Sequence, residues 1–357
     1  MFFARLPCGK KIKNCQMKIA ILSSIHWRTP PKKYGPWELI ASYITEGMVK
    51  KGHEVTLYAS GDSQTKACLR WVCPRPICED PTLEPKVYQY LHSALVFEEA
   101  NEYDIIHNHY DAYPLVFSKL VKTPVVTTLH GFSSSQVTEI YKKYSNTFYI
   151  SISYADRKHA PDLNYIANIY HGIPVEEYKF NDKPEDYFCF IGRISPDKGV
   201  HLAIRLSKKL GIKFKIAGLV SGEDKEFFEK EIKPSLNKNI QYLGLISNED
   251  KKVLIRKAKG FLHLNTYPEG FGLTLVEAMA SGTPVIGMNL GSIPEIVEDN
   301  KTGFVISDTK EAIEAIKKID KIERKVCRER VEKFFSLDRM IDEYEQIYHK
   351  ILSLNRK

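Results

Sequence analysis

Residues 268–285 read PEGFGLTLVEAMASGTPV, and this stretch guides the interpretation of the chain around it. Its pattern predicts a helix over 270–281, with Glu269 just before the helix and Glu277 about two turns, roughly 12 Å, along it. The glycines at its start let a ligand approach the backbone and leave the first amide groups unpaired. Such a helix start carries a partial positive charge that suits a diphosphate, and the carboxylates could accept hydrogen bonds from sugar and ribose hydroxyls. A capped amphipathic helix with surface glutamates is the alternative, and it explains the complete string poorly.

Short apolar runs alternate with amphipathic segments on both sides of this stretch. In the first half, strands rich in Val, Ile and Thr are predicted at 17–24, 54–60, 104–107, 124–130 and 147–152, with helices near 37–51, 86–101, 111–121 and 135–144. The pattern then restarts, with strands predicted at 186–194, 213–218, 240–246, 260–265, 284–288 and 303–307 and helices at 199–210, 223–232, 247–258, 270–281, 308–318 and 322–333. This alternation predicts an α/β protein with two doubly wound domains.

The length of 357 residues suits two domains, because one ordinary core rarely serves so long a chain. We expect a disordered extension over 1–16 (the alternative is a start at the methionine that follows), an N-terminal domain over 17–172 and a C-terminal domain over 173–336. The polar stretch 171–185 fits a linker, and helical spacing within 337–357 predicts a last helix. Doubly wound sheets bind ligands at the carboxyl ends of their strands, so we expect the chemistry in the loops there.

The composition indicates a soluble globular protein, with 43% apolar and 27% charged residues. No apolar run reaches about 18 residues, so no transmembrane helix is predicted. Half of the formal charge of +8 comes from residues 1–16, and the rest is too diffuse for a nucleic-acid surface. A weak preference for membrane surfaces stays open because of first-half lysines, namely Lys32, Lys33, Lys50, Lys51, Lys142 and Lys143.

The seven cysteines are an odd number, and Cys68, Cys73 and Cys78 follow one another at intervals of five. This spacing is not that of a zinc site, and three ligands fall short of the usual four. We therefore predict unpaired thiols in a cytoplasmic protein.

Two further motifs place ionisable side chains directly after predicted strands. In IGRISPDKG, residues 191–199, Arg193 and Lys198 could reach one phosphate group, where fixed cations would stabilise a departing nucleoside diphosphate. Solvated surface cations are the alternative. In VTTLHGF, residues 126–132, His130 ends an apolar strand and should point at the cleft, although a lone histidine is often structural.

The loop HWRTPPKKYGPWE, residues 26–38, joins the first strand to the first helix and suits a phosphate or sugar contact. It lacks the pattern G-x-G-x-x-G, which disfavours a nicotinamide cofactor. Trp27, Tyr34 and Trp37 could stack on sugar faces, and anchoring in the core or at the surface is an equal alternative.

The segments PEGFGLTLVEAMASGTPV, GRISPDKG, TLHG and GSIPEIV together resemble the retaining glycosyltransferases of family 4, from Met17 to about residue 350. The resemblance implies the GT-B fold, in which two Rossmann-like domains face each other across a cleft and the last helix crosses back to the N-terminal domain. It also implies that the N-terminal domain holds the acceptor and that the C-terminal domain holds the nucleotide-sugar.

The resemblance also implies roles for individual residues. Arg193 and Lys198 would bind the donor diphosphate, and His130 would lie near the anomeric carbon. Glu269 would contact hydroxyls of the transferred sugar, and Glu277 would contact those of the ribose. The catalytic candidates are thus His130, Glu269, Arg193 and Lys198, the donor-binding set adds Glu277, Gly270, Phe271, Gly272 and Leu273, and the acceptor-side candidates are Tyr34, Gly35, Trp37 and His109. Neither a cofactor nor an essential metal is expected, because arginine and lysine take the place of the metal.

We therefore predict a hexosyltransferase that moves a hexose from a nucleotide-sugar, of the UDP-glucose or GDP-mannose type, to a hydroxyl acceptor. The acceptor could be a carbohydrate, a lipid-linked glycan or a small molecule, and no nucleic-acid partner is expected. The alternatives are a nucleotide-sugar epimerase, a glycan phosphorylase, for which no pyridoxal lysine stands out, and a non-catalytic nucleotide-sugar-binding module.

Two positions depart from the family pattern. Pro36 follows Gly35 where a second glycine is usual, which removes one backbone donor and fixes φ. His171 precedes Gly172 where many members have asparagine, and we interpret this as a linker feature without a catalytic role.

Overall fold

Two parallel β-sheets form the framework of the computed structural model, which describes residues 16–131 and 136–355. The predicted extension lies outside these residues except for Gln16. The first sheet contains β1 (Lys18–Leu22), β2 (Glu54–Tyr58), β3 (Cys68–Arg70), β4 (Ile105–Asn108), β5 (Val125–Leu129), β6 (Phe148–Ser151) and β7 (Tyr165–Asn168). The second contains β8 (Phe188–Ile191), β9 (Phe214–Ala217), β10 (Ile240–Tyr242), β11 (Gly260–His263), β12 (Val285–Met288) and β13 (Gly303–Ile306). Their spatial orders, β3-β2-β1-β4-β5-β6-β7 and β10-β9-β8-β11-β12-β13, are those of doubly wound sheets.

Helices connect the strands. They are α1 (Pro36–Lys50), α2 (Pro85–Glu98), α3 (Thr138–Lys143), α4 (Val200–Leu210), α5 (Lys225–Phe227), α6 (Asn248–Lys257), α7 (Leu273–Ala280), α8 (Ile293–Ile296), α9 (Thr309–Lys318), α10 (Arg324–Phe334) and α11 (Leu337–Asn355). A 3₁₀ helix at Tyr113–Leu120 stands where a helix was predicted over 111–121, and α5 continues into a π-helical segment at Phe228–Ile232.

Successive side chains of β1 point to opposite faces of the first sheet and pack into two different cores. Ile19 and Ile21 are fully buried in one core with α1 and α11, whereas Ala20 and Leu22 belong to another core with Val96 of α2. Because strand side chains alternate between faces, a strand covered on both sides needs an apolar residue at every position. This requirement accounts for the uninterrupted apolar runs from which most strands were predicted.

The last helix, α11, crosses back onto the first domain. Tyr344 and Tyr348 are fully buried in the same core as β1 and α1. The two passages of the chain between the sheets lie side by side, because Ile173 N donates to Phe335 O at 3.0 Å and Leu337 N donates to Ile173 O at 2.9 Å. The predicted architecture of two doubly wound α/β domains with a returning helix is confirmed.

Two edge strands and one helix boundary differ from the sequence prediction. The prediction missed β3 and β7, whose side chains are exposed or half-buried and which therefore lack the apolar run typical of the inner strands. Helix α7 begins at Leu273, not near Gly270, because Gly272 adopts a left-handed φ of 85° at its N-terminus. Glu277 therefore lies only about one turn, roughly 6 Å, into the helix.

Membrane spans and disulfides are both missing from the described part of the chain. None of its helices is long and apolar enough to cross a membrane. Its cysteines, Cys68, Cys73, Cys78, Cys189 and Cys327, are all free thiols. Cys8 and Cys15 lie outside the described residues.

Gly47 allows α1 to approach α11 closely. A Cβ at this position would come within 2.6 Å of two side-chain carbons of Ile341. We expect Gly47→Ala to lower the urea midpoint of unfolding, because overpacking costs about 1–3 kcal/mol. The gain in helix propensity, roughly 1 kcal/mol for alanine over glycine, should offset only part of this cost.

The double variant Gly47→Ala/Ile341→Ala separates packing from helix propensity. With Ile341 shortened, the glycine substitution should no longer destabilise, which gives a coupling free energy of about 1 kcal/mol or more. Gly222→Ala is the control, because a Cβ there has no neighbour within 4 Å. An equal effect of Gly47→Ala in both backgrounds would contradict the close packing of α1 on α11.

Candidate active site

A cavity of about 480 Å³ lies between the two sheets, and the loops that follow β1, β5, β8 and β11 line it. These loops leave the carboxyl ends of parallel strands, where doubly wound sheets bind ligands. The candidate residues that line the cavity are Tyr34, Gly35, Trp37, His130, Arg193, Lys198, Glu269, Gly270, Phe271, Gly272, Leu273 and Glu277. Candidates from both halves of the sequence thus meet at one site.

The glycine-rich loop before α7 brings backbone amide groups to the cavity. Gly270, Phe271 and Gly272 all line it. Gly272 is the N-cap residue of α7 and offers no side chain to cap the helix. The first N–H groups of α7 therefore have no capping side chain, and a helix start of this kind can bind phosphate oxygens.

A second glycine-containing segment supports this loop. Gly291 pairs with Glu269 in a β-bridge, and a Cβ on Gly291 would come within 2.2 Å of the Glu269 carbonyl oxygen. Ser292 donates from its backbone N to Glu269 O at 2.9 Å and from Oγ to Phe271 O at 2.8 Å. The motif GSIPEIV therefore holds the loop PEGFG in place, and the close approach explains the glycine at 291.

The carboxylate of Glu269 lies between two donors from other loops. Lys198 Nζ donates to Glu269 Oε2 at 2.7 Å, and His263 Nε2 lies 2.9 Å from the same oxygen. Burial by itself would raise the pKa of Glu269, but the hydrogen bond with His263 and the charge of Lys198 hold it well below its usual value. Glu269 is therefore ionised at neutral pH, and no described residue forms a hydrogen bond with its Oε1.

Arg193 follows β8 and reaches the same cavity as Lys198. Its Nη2 lies 3.3 Å from the carboxylate of Asp197, and its Nε lies 4.0 Å from that of Asp224. The Arg193 side chain is 40% exposed and that of Lys198 is 25% exposed. Arg193 can therefore turn toward a ligand at a smaller cost, because its ion pairs are partly solvated.

Close packing requires the glycine that ends GRISPDKG. Gly199 follows a 3₁₀ turn at Pro196–Lys198 and adopts a left-handed φ of 67°. A Cβ at Gly199 would come within 1.7 Å of the Leu264 carbonyl oxygen. The turn that carries Lys198 is thereby held against the residue that follows β11.

Glu277 is buried and keeps one oxygen without a partner. The Tyr178 hydroxyl donates to its Oε1 at 2.9 Å, and Lys251 Nζ donates to the same atom at 2.6 Å. Its Oε2 is buried without a hydrogen bond from any described residue. Such an atom is costly in a folded protein, and a ligand hydroxyl in the cavity would satisfy it.

Aromatic side chains form the wall that faces the second domain. Trp37 stacks on His130, with ring centroids 5.6 Å apart and an interplanar angle of 19°. Tyr34 lines the cavity and packs edge-on against Trp27 at 6.1 Å. Trp27 itself does not line the cavity, and it contacts the cavity indirectly by packing against Tyr34.

Gly35 and Pro36 form the entry to α1. A Cβ on Gly35, which has a φ of 145°, would come within 2.9 Å of Glu38 Oε2. Burial raises the pKa of Glu38 to about 7. Pro36 is the first residue of α1, where its missing N–H breaks no intrahelical hydrogen bond. The departure from Gly-Gly is therefore compatible with a normal helix start.

Two histidines lie differently from the sequence prediction. His109 was expected on the acceptor side, but it is fully buried, with Nδ1 2.9 Å from His130 Nε2, and it does not line the cavity. It therefore has no direct contact with a ligand there.

His171, interpreted as a linker feature, does line the cavity, with its ring 5.2 Å from His130 and 5.0 Å from Phe271. Burial lowers the pKa of His130 to about 3 and the pKa of His171 well below its ordinary value, so both rings are neutral at pH 7.

Three cavity residues were not predicted as site residues, for different reasons. His263 is the last residue of β11, so the strand-end rule that selected His130 would also have found it. His171 follows β7, an edge strand that the pattern did not reveal. Lys251 lies in the first turn of α6, and no local signal relates it to Glu277.

Glu295 connects the two domains next to this site. Its carboxylate accepts hydrogen bonds from Tyr154 N at 2.9 Å, Ala155 N at 2.7 Å and the Tyr170 hydroxyl at 2.9 Å. Glu295 belongs to the motif GSIPEIV, so that motif contacts both the loop PEGFG and the first domain.

Across residues 16–131 and 136–355, no group of three or more His, Cys, Asp or Glu side chains could hold a metal ion.

Comparison with known proteins covers both halves of the chain. The family model described as Glycosyltransferase Family 4 matches residues 38–168. The family model described as Glycosyl transferases group 1 matches residues 176–334, which include the segments GRISPDKG and PEGFG.

Individual relatives agree with these matches. An uncharacterized glycosyltransferase of Methanocaldococcus jannaschii is 30% identical over 224 residues, which cover 58% of this chain and 62% of the relative. A trehalose synthase of Pyrococcus horikoshii is 29% identical over 178 residues, which cover 45% of this chain and 43% of that enzyme. In both cases the chain matches less than two thirds of the length of its relative.

Solved structures agree on the fold. The crystal structure of Anabaena HepE in complex with UDP and glucose superposes with a TM-score of 0.75 at 19% identity, over 94% of this chain and 100% of HepE. The matching family models on both domains, together with this fold, identify the chain as a family 4, group 1 glycosyltransferase with the GT-B fold.

Proposed function

We propose that this enzyme transfers a hexose from a nucleotide-sugar to a hydroxyl acceptor, with retention of the anomeric configuration and without an essential metal ion. One arrangement carries the proposal: Lys198 and Arg193 share a cavity with the glycine-rich start of α7 and with two carboxylates, the partly buried Glu269 and the buried Glu277. The cations and the amide groups suit a diphosphate, and the carboxylates suit the hydroxyls of the sugars that it joins.

The cations act on the leaving group. Negative charge on the diphosphate grows as the glycosidic bond breaks, so fixed positive charges stabilise the transition state more than the ground state. Both cations form ion pairs with carboxylates in this structure, Lys198 with Glu269 and Arg193 with Asp197. A diphosphate would therefore share Lys198 with Glu269, and this places the sugar hydroxyls beside the Glu269 carboxylate.

The two carboxylates bind opposite ends of the donor. Glu269 Oε1 is available to a hydroxyl of the transferred hexose, while Oε2 stays with Lys198 and His263. Glu277 Oε2, which lacks a partner among the described residues, accepts a hydrogen bond from a ribose hydroxyl. Lys251 and Tyr178 hold the other oxygen and so orient the carboxylate.

Retention follows from front-face displacement. A double displacement would need a nucleophile opposite the diphosphate, and the described residues of the first domain that line the cavity include no carboxylate. In the front-face reaction, the bond from the anomeric carbon to the diphosphate breaks while the acceptor oxygen bonds to that carbon on the same face. The acceptor proton passes to the departing phosphate oxygen, so the protein contributes positioning and electrostatic stabilisation.

UDP-glucose is the first donor to test, and GDP-mannose is the second. The structure of HepE contains UDP and glucose, and the matched relatives include a trehalose synthase. On the acceptor side, Tyr34 and Trp37 present aromatic surface to the cavity, which suits the apolar face of a sugar ring.

Removal of the cation at Lys198 tests the role of the second domain. We expect Lys198→Ala to lower kcat by about 100-fold to 1,000-fold, the range seen when one donor to a developing oxyanion is removed. Lys252→Ala is the matched control, because Lys252 pairs with Glu177 and Glu249 outside the cavity. Near-normal turnover of Lys198→Ala under saturating donor would exclude Lys198 from the diphosphate site.

Replacement of Glu277 tests ribose binding. We expect Glu277→Gln to raise the KM for the donor by about 10-fold to 100-fold, because hydrogen bonds to charged groups contribute about 1.5–3 kcal/mol. Tyr178→Phe is the control, since it removes a bond to Oε1 and leaves Oε2 free. The proposed contact is wrong if both variants change the donor KM equally.

A donor panel tests the reaction class. Purified enzyme is incubated with UDP-, GDP- and ADP-sugars, with and without candidate acceptors and with and without EDTA. We expect acceptor-dependent release of one nucleoside diphosphate, a product with the donor's anomeric configuration by NMR, and rates that EDTA leaves unchanged. Conversion of the donor sugar without nucleotide release would indicate an epimerase, and binding without any turnover would indicate a non-catalytic module.

A further inference from the structure

A chain of hydrogen-bonded side chains runs from His130 through the interior of the first domain to α11. His130 Nε2 lies 2.9 Å from His109 Nδ1, and His109 Nε2 lies 3.2 Å from His107 Nδ1. His107 Nδ1 also lies 2.6 Å from the hydroxyl of Tyr348, and its Nε2 lies 2.8 Å from Thr128 Oγ1. His107, His109 and Tyr348 are fully buried, so bulk water does not compete for these atoms.

All three histidines of this chain are neutral. Burial lowers the pKa of His130 to about 3, and it lowers the pKa values of His107 and His109 well below their ordinary value. A neutral imidazole has one N–H group and one lone pair, so the bond at one nitrogen decides what the other nitrogen can do. In a series of such rings, the direction of the first hydrogen bond sets the direction of every later one.

Tyr348 sets that direction. Among the described residues, His107 Nδ1 is the one hydrogen-bond partner of the buried Tyr348 hydroxyl, so the hydroxyl hydrogen is satisfied only if Tyr348 is the donor. Burial raises the pKa of Tyr348 well above its ordinary value, so the phenol keeps its hydrogen. With Tyr348 as donor, His107 carries its hydrogen on Nε2 and donates it to Thr128. His107 Nδ1 then has a single lone pair, which the Tyr348 hydroxyl at 2.6 Å and His109 Nε2 at 3.2 Å share. An Nε2–H group on His109 avoids a contact between two lone pairs, and His130 then donates from Nε2 to His109 Nδ1.

We propose that Tyr348, His107 and His109 hold His130 as the Nε2–H tautomer, so that its Nδ1 presents a lone pair to the sugar site. His130 lines the cavity while its Nε2 is turned toward His109, and no described residue forms a hydrogen bond with its Nδ1. His130 therefore accepts a hydrogen bond from a hydroxyl of the bound sugar and does not donate one. The sugar contact rests on the proposed function, whereas the tautomer does not.

This series of hydrogen bonds makes the returning helix α11 a part of the site. Tyr348 lies on α11, and Tyr344 of the same helix places its hydroxyl 3.1 Å from Thr128 Oγ1. Neither His107 nor His109 lines the cavity, so both are positioning residues. Without α11, the first domain would lack the hydroxyl donor that orients the hydrogen bonds between the histidines.

The tautomer can be observed on the complete protein without any substrate. With 15N-labelled histidine, the chemical shifts of the two ring nitrogens distinguish N–H from a lone pair, and loss of signals in His130→Asn assigns this residue. We expect Nε2–H in the wild type and a mixture of tautomers in both His109→Leu and Tyr348→Phe. An Nδ1–H tautomer in the wild type, or an unchanged tautomer in the folded variants, would overturn the proposal.

His92→Leu is the matched control for this measurement. His92 is also fully buried and neutral, and its Nε2 lies 2.8 Å from Ser23 O, outside the chain of histidines. Its replacement should leave the His130 nitrogen shifts unchanged. Tyr348→Phe removes only one hydroxyl, so the test stands even where His109→Leu fails to fold.

Kinetics provide a second readout that separates polarity from packing. His109→Gln keeps an acceptor for His130 and a donor for His107, so we expect near wild-type turnover. His109→Leu should lower kcat by about fivefold to tenfold, the effect of one neutral hydrogen bond, with little change in the donor KM. Equal losses in the two variants would overturn the positioning role of His109.

The two parts of the proposal, the tautomer of His130 and its contact with the sugar, can be contradicted independently. Altered His130 shifts in His109→Leu with full turnover would overturn the sugar contact and leave the tautomer in place. A wild-type enzyme that shows the Nε2–H tautomer but transfers no sugar from any donor would count against the proposed function alone.

Discussion

The carboxylate of Glu269 is the point on which the site depends, because three separate segments must meet to hold it charged and largely out of solvent. Lys198 and His263 satisfy one oxygen, and Gly291 and Ser292 hold the backbone. A buried carboxylate is tolerated only when it is paired and hydrogen-bonded. The conformation of the loop PEGFG therefore depends on the placement of β8, β11 and β12 in one sheet.

The same side chains have two sets of partners, one within the protein and one in the proposed complex. Lys198 and Arg193 neutralise carboxylates now and would neutralise a diphosphate during catalysis. Glu277 shows the opposite arrangement, since one oxygen is already held by Lys251 and Tyr178 and the other has no partner among the described residues. A polar site held ready in this way needs little reorganisation when the substrate binds, and this is the usual source of electrostatic catalysis.

The two domains are more closely connected than a single linker would suggest. Glu295 binds backbone amides of the first domain, and the segments around Ile173 and Leu337 bond to each other where the chain crosses. Helix α11 then supplies Tyr348 to the histidines behind the cavity. The second half of the chain thus contributes both the proposed donor site and the orientation of a residue on the opposite wall.

The sequence by itself determined the alternation of buried strands and helices, since a parallel strand covered on both faces must be apolar throughout. It also identified the motifs around Glu269, Lys198 and His130, because glycines and ionisable residues after strands leave a local signal. It misplaced the start of α7 by three residues, since the left-handed Gly272 that ends the loop can only be seen in three dimensions.

Only the tertiary structure decided which distant residues became partners. Lys251 meets Glu277 across 26 positions, and His107 meets Tyr348 across 241. Nothing in the local pattern marks these pairs, because their hydrogen bonds arise from the packing of whole helices and sheets. His109 illustrates the limit: the family resemblance suggested a contact on the acceptor side, and the packing of the first domain buried this residue behind His130.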